Sequence, residues 1–322
     1  YMMLNIMLFA EMEGKHSDLR EIEKLCKTDI RYMWLSNEQT PSHMAFQRFE
    51  QRYLKKSIKG IFFEISAHIA DLMGVDKSIQ YIDGSKFEAN AYKNSFVYKT
   101  RVVNARERLW EDITETIVLL NQEFGFCFSY QHKYCSQEIG YILQYLMELM
   151  VRKEVEIAYG KGKRKSTFQK YYDKILKYAL KLKEYEENLY ICGERNSYSK
   201  SDHDATMMNT KYDYYNQTGV CKPCYNVQHA VSSGIVMNVG VFQTPGDIKT
   251  YIPFLEQNKE YHGYYPKWAI TDAGYGSYDN YFFNLENGIE LGMKYNYYAK
   301  KNDSEFKKRQ YNAMNWEKNE DG

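Results

Sequence analysis

Ile79-Gln80-Tyr81-Ile82-Asp83-Gly84 is the stretch on which the fold turns. Ile79, Tyr81 and Asp83 alternate with Gln80 and Ile82, the period-two pattern of a strand, and Gly84 interrupts it. The spacing therefore predicts a strand that ends at an aspartate. A second run has the same form: Trp268, Ile270 and Asp272 alternate into Ala273-Gly274-Tyr275-Gly276. In an open α/β sheet, residues at strand ends converge on one edge, so two aspartates far apart in sequence can meet there.

Between the two runs, helix and strand patterns separate cleanly. Val103, Arg106, Trp110, Ile113, Ile117 and Leu120 mark one helical stripe, and Ile139, Ile142, Leu143, Leu146, Met147 and Met150 a second. Tyr171, Tyr172, Ile175, Ala179, Leu182 and Tyr185 mark a third, opened by a capping box of Ser166 with Gln169. The basic link 160–165 between the last two reads as a solvated turn, with phosphate contact as the alternative. Further on, Tyr225, Val227, His229 and Val231 alternate, Ser232-Ser233-Gly234 turns the chain, and Ile235, Met237, Val239 and Val241 alternate, which predicts a β-hairpin. Pro245-Gly246-Asp247 then leads into a helix through Tyr251, Phe254 and Leu255. Ser277 caps another that Gly288 closes, and Ile289 to Tyr295 reads as a strand. A mixed α/β sheet with a helical insertion over 101–200 follows from this order.

Ahead of the sheet, residues 1–75 read as short helices with Ser17 or Asp18 and Ser42 as caps and Pro41 as a separator. That is the look of a helix-turn-helix-like DNA-binding domain and equally of any small helical domain. Composition excludes little: 43 basic and 42 acidic residues give a net charge of +1, so a nucleic-acid partner must be argued locally. Six cysteines with no secretory leader point to a reducing, cytoplasmic setting, and no apolar run reaches the ~20 residues of a membrane span. Cys221-Lys222-Pro223-Cys224 has the spacing of a zinc or redox pair but lacks the second pair that a structural zinc site normally needs.

Carboxylates brought together repel one another unless divalent cations bridge them, and oxygen ligands with room for water and phosphate suit Mg²⁺ or Mn²⁺. Pattern alone leaves each aspartate two readings, a turn residue ahead of glycine or a carboxylate at a shared cation site; on the second reading Asp83 and Asp272 are the candidate catalytic and metal-binding residues.

Four ordered landmarks carry a resemblance. Residues 81–91 (Tyr-Ile-Asp-Gly-Ser-Lys-Phe-Glu-Ala-Asn-Ala), Asp202-His203-Asp204-Ala205-Thr206, Lys222-Pro223-Cys224-Tyr225-Asn226-Val227-Gln228 and Asp272-Ala273-Gly274-Tyr275-Gly276-Ser277 resemble one branch of bacterial insertion-sequence transposases of the DDE type. Ser17 to Leu35, followed by Pro41-Ser42-His43, resembles that branch's helical head. The resemblance spans essentially the whole chain and implies an RNase H-like catalytic core over 76–300. Asp83 and Asp272 would sit side by side there on two Mg²⁺ or Mn²⁺ ions. It also implies strand cleavage and transfer on double-stranded DNA (element terminal repeats and target), a homodimer in a synaptic complex, and a cytoplasmic, nucleoid-associated location.

The departures set further expectations. The family's third acid is a Glu on a downstream helix, in a context of Arg, three residues, then Glu; nothing after Asp272 matches it. Glu305, Glu317, Glu320 and Asp321 read as solvated charge in a polar tail, 301–322, that stops short of the third acid. The family has proline where His203 stands and commonly glycine where Cys224 stands. The rival readings are an inactive DNA-binding remnant that modulates transposition and a stand-alone nuclease of the same fold.

Overall fold

The computed structural model describes residues 1–14, 18–155, 157–158, 164–210, 219–294 and 303–308. Ser17, residues 160–163, Tyr295, Glu317, Glu320 and Asp321, on which some of the expectations above fall, lie outside the described residues.

The chain opens with helices α1 (Met2–Met12), α2 (Leu19–Thr28), α3 (Ile30–Leu35) and α4 (His43–Phe49). Asp18 and Asp29 cap α2 and α3, each accepting a backbone N–H two residues on, at 3.0 and 2.9 Å. Ser42 stands at the start of α4 but makes no side-chain capping bond. Ile6, Ala10, Ile22, Cys26, Tyr32 and Phe46 form the buried core of these helices. A π-helical turn (Glu50–Leu54) joins α4 to α5 (Lys55–Leu72) in one continuous rod. Helix α5 leaves the small bundle and reaches the sheet domain, where Phe63 stacks on Tyr261 with ring centroids 4.2 Å apart.

The main sheet has six strands: β1 (Ile79–Glu88), β4 (Thr206–Thr210), β5 (Val220–Ser232), β6 (Ile235–Phe242), β7 (Trp268–Thr271) and β8 (Glu290–Met293). The order is β4-β5-β1-β7-β8, with β6 also paired to β5. β1 is antiparallel to β5 and parallel to β7, which is parallel to β8, so the sheet is mixed. Ser233 and Gly234, both at positive φ (46° and 86°), make the tight β5–β6 turn that the sequence predicts. Helices α9 (Tyr251–His262) and α10 (Tyr278–Glu286) follow β6 and β7; Ser277 caps α10 by accepting the Asn280 N–H at 3.2 Å. The core beneath holds Ile82, Ala230, Tyr251, Phe254, Leu255, Ala269, Tyr275 and Ile289.

The expected helical insertion is a three-helix bundle, α6 (Lys99–Phe124), α7 (Ser136–Arg152) and α8 (Thr167–Cys192). Its own core includes Ile113, Ile117, Leu120, Ile139, Leu146, Ile175 and Leu182. A two-stranded ladder at its base, β2 (Phe96–Tyr98) with β3 (Ser197–Ser199), brings the two ends of the insertion together. Half of the expected capping box forms: Ser166 Oγ accepts the Gln169 N–H, but the buried Gln169 side chain turns to the backbone of Ala158 instead. No described helix is long and apolar enough to cross a membrane.

Two features depart from the expectations. β1 does not stop at Gly84 but pairs with β5 through Glu88. β4 and the β2–β3 ladder have no counterpart in the sequence reading; each strand is only three to five residues long, with no alternation long enough to register.

Candidate active site

Strands β1 and β7 run parallel with Ile79 opposite Trp268, Gln80 opposite Ala269 and Tyr81 opposite Ile270. Asp83 and Asp272 share that same offset: each stands two residues beyond the last paired rung, so both lie just past the end of the β1–β7 pairing, Asp272 directly after β7 and Asp83 midway along β1, which continues against β5 to Glu88. Side chains alternate along a strand, and burial follows the alternation. Gln80, Ile82 and Ala269 are buried on one face, whereas Tyr81, Asp83, Trp268 and Asp272 are exposed on the other. That second face is left largely open, with Tyr81 and Phe87 each 57% exposed and Val241 61%. His229 stands opposite Asp83 across the β1–β5 pair and is half-buried.

Each aspartate is fixed by a local backbone bond. Asp83 Oδ1 accepts the Gly84 N–H at 2.9 Å, and Asp272 Oδ1 accepts the Gly274 N–H at 2.8 Å, closing the short 3₁₀ turn Ala273–Tyr275. Neither carboxylate is in an ion pair among the described residues.

Gly84 takes its place for reasons of space. A Cβ there would stand 2.4 Å from Gln228 Nε2 and 2.7 Å from Asp247 Oδ1. These side chains belong to a polar cluster behind the two strand ends. Gln228 Nε2 donates to Asp247 Oδ1 (2.9 Å) and Asn226 Oδ1 (3.0 Å), and Asn226 Nδ2 donates to Asp247 Oδ1 (2.8 Å). The Tyr275 hydroxyl, three residues past Asp272, donates to Gln228 Oε1. Asn226, Gln228 and Tyr275 are buried, so the cluster satisfies polar atoms that would otherwise be costly there. Burial first, then the charges of Asp247, Asp83 and Asp272, hold the Tyr275 hydroxyl far above the usual phenol range, so it remains a donor.

The other landmarks take structural places. Asp202 Oδ2 accepts the Tyr225 hydroxyl at 2.7 Å and Asp204 Oδ1 accepts Gln243 Nε2 at 3.0 Å, tying the end of the insertion to the sheet. Tyr198 packs edge-on against His203, with ring centroids 5.2 Å apart. Cys221 is exposed and Cys224 buried on the same strand, which points the two thiols to opposite faces. Sequence reasoning gave Asn226 and Gln228 only a place in a landmark and Asp247 only a turn before a helix, with no role in the site; the further signal for Asn226 and Gln228 was polar residues on inward positions of an alternating strand.

As donors for a divalent cation, Asp83 and Asp272 have the right chemistry: exposed carboxylate oxygens free of competing cations. They form an incomplete set, since among the described residues no group of three or more His, Cys, Asp or Glu is gathered closely enough to hold a metal ion.

No curated protein and no solved structure matches the chain. Residues 1–52 match the family described as a transposase domain (DUF772), which covers α1 to α4 and the first part of the π turn and supports a transposase family for this chain.

Proposed function

We propose that the chain is a DDE-type DNA transposase with an RNase H-like core, in which Asp83 and Asp272 are the first two catalytic acids. The observation that carries the reading is their shared offset just past the last paired rung of two neighbouring parallel strands. The transposase-domain match over residues 1–52 supports the transposase part of the reading.

Asp83 and Asp272 would hold Mg²⁺ or Mn²⁺, two ions in the complete site. Bound there, the ions supply an activated water or 3′ hydroxyl and a stabilised leaving oxygen for phosphodiester cleavage and strand transfer. The backbone bonds from Gly84 and Gly274 orient one oxygen of each carboxylate and leave the other for coordination. A third carboxylate is still required, and it would have to reach the open face of the sheet beside Asp83 and Asp272.

Duplex DNA is the partner in this reading, with a homodimer holding two element ends in a cytoplasmic, nucleoid-associated complex. Arg48, Arg52, Lys55, Lys56 and Lys59 are all exposed along α4, the π turn and α5, which favours phosphate contact by the N-terminal region. The rivals remain a DNA-binding remnant without catalysis and a stand-alone nuclease. The remnant would bind DNA but not metal, and the nuclease would cut without joining ends.

The test is Mn²⁺ binding by calorimetry, together with cleavage and joining of a duplex carrying the element's terminal repeat. Asp83→Asn and Asp272→Asn should each lower metal affinity, and any cleavage by at least ~10²-fold, the scale on which single preorganised electrostatic groups act. Neither should move the melting temperature appreciably, because both sites are exposed. Metal affinity unchanged in both variants would sink the proposal.

A further inference from the structure

The helical insertion has no role in the site described above, yet one of its faces is strongly patterned. Lys170, Lys174, Lys177 and Lys181 recur on α8 at spacings of four, three and four residues, and all four are exposed. At the ideal 100° per residue they fall within about 60° of arc and extend along ~16 Å of helix. The opposite side of α8 carries Phe168, Ile175, Tyr178 and Leu182, buried in the bundle core. The lysines therefore face outward because packing fixes the helix's rotation.

The stripe is only partly offset from within. Asp173 is paired to Lys165 at 2.6 Å, and Glu184, one turn beyond Lys181, is the acid that shares a groove with Lys177 and Lys181 at its C-terminal end. None of the four lysines is in an ion pair among the described residues; Lys174 lies over the Tyr178 ring at 5.8 Å. Like charges at these spacings destabilise a helix, so the row as a whole is not explained by helix stability. In a chain whose net charge is +1, this concentrates positive charge on one line. Arg164, also exposed, precedes it at the N-terminal end.

We propose that this face of α8 is a contact surface for the phosphate backbone of duplex DNA, which makes the insertion a DNA-holding arm rather than a spacer. The inference rests on the reading that the chain acts on DNA, and it adds a surface separate from both the aspartates and the α4–α5 rod. A row of flexible ammonium groups with no planar, bidentate or aromatic partner contacts charge, not base edges. The contact is therefore indifferent to sequence. Its length matches about five base-pair rises of one DNA strand.

The experiment measures binding of the full chain to a ~30-base-pair duplex of arbitrary sequence across ~50 to ~200 mM salt, where each phosphate contact contributes ~0.9 to the log–log slope. The variant changes Lys170, Lys174, Lys177 and Lys181 together to Gln, which is nearly as good a helix former as Lys. Its slope should flatten by ~3 or more, so that over this range the unmodified chain loses ~100-fold more affinity than the variant. Circular dichroism should show the fold retained. The matching Lys→Arg variant keeps the charge and should restore the slope, which a merely misfolded bundle would not. An unchanged slope in the Gln variant overturns the inference while leaving the transposase reading intact, as does an effect seen only on phosphatidylserine vesicles. No salt-dependent duplex binding by the unmodified chain would overturn both.

Discussion

Gln228 lies directly against Gly84: the Gln228 Nε2 would be only 2.4 Å from a methyl group at that position, with Asp247 Oδ1 at 2.7 Å behind it. Both atoms belong to buried or half-buried groups already committed to hydrogen bonds with one another, so neither can swing aside freely. Gly84→Ala should therefore destabilise the sheet domain by ~1–3 kcal/mol, the usual cost of adding a methyl group to a packed site. Urea denaturation measures it. A loss smaller than a few tenths of that would mean that the cluster does not press on β1 as described.

The bond from Tyr275 to Gln228 gives a second prediction. Tyr275 follows Asp272 in the 3₁₀ turn, and Gln228 sits opposite Gly84, so this contact links the turn holding one aspartate to the strand carrying the other. Tyr275→Phe removes the donor and leaves Gln228 Oε1 buried without it, which should cost ~1–3 kcal/mol. Gln228→Met should cost more, since it also strips Asp247 and Asn226 of a donor. In a double-mutant cycle the two changes should couple by ~0.5 kcal/mol or more. Strict additivity would show that the two residues do not act together.

Much of this architecture is open to reading from local pattern, because the relevant signals are local. The alternation in 79–83 and 268–272, the turn at Ser233-Gly234 and the three stripes of α6, α7 and α8 each report on a few neighbouring residues. Gly84 misleads as a strand end because a glycine required by close approach looks, in sequence, like one required by a turn. The parallel register of β1 with β7 is a long-range pairing that no local periodicity contains. Asp247, too, reads as a turn residue before α9 and becomes part of the polar cluster only once the chain after β6 folds back onto Asn226 and Gln228 of β5.

The N-terminal region carries its own acid-sensitive contact. Glu23 on α2 accepts from Lys27 Nζ at 2.8 Å and from the His43 backbone N–H at 2.8 Å, and the His43 ring Nδ1 lies 2.7 Å away, so this one carboxylate ties α2 to the start of α4. The Lys27 bond, then the two to His43, bring its pKa down from 4.5 to about 2. A carboxylate whose folded pKa lies below its unfolded one adds stability that is fully present above the unfolded value. That stability drains away as pH falls from 4.5 toward about 2. Hydrogen exchange of the α2 and α4 amides, followed from neutral pH down through that window after correction for intrinsic rates, should show α4 loosening from α2 as the carboxylate takes up its proton. Glu23→Gln should exchange faster at neutral pH and lose this part of the pH dependence. If that variant still showed the full acid-induced loosening, the sensitivity would belong to another group, and the Glu23–His43 contact would then be incidental to how the first helices hold together.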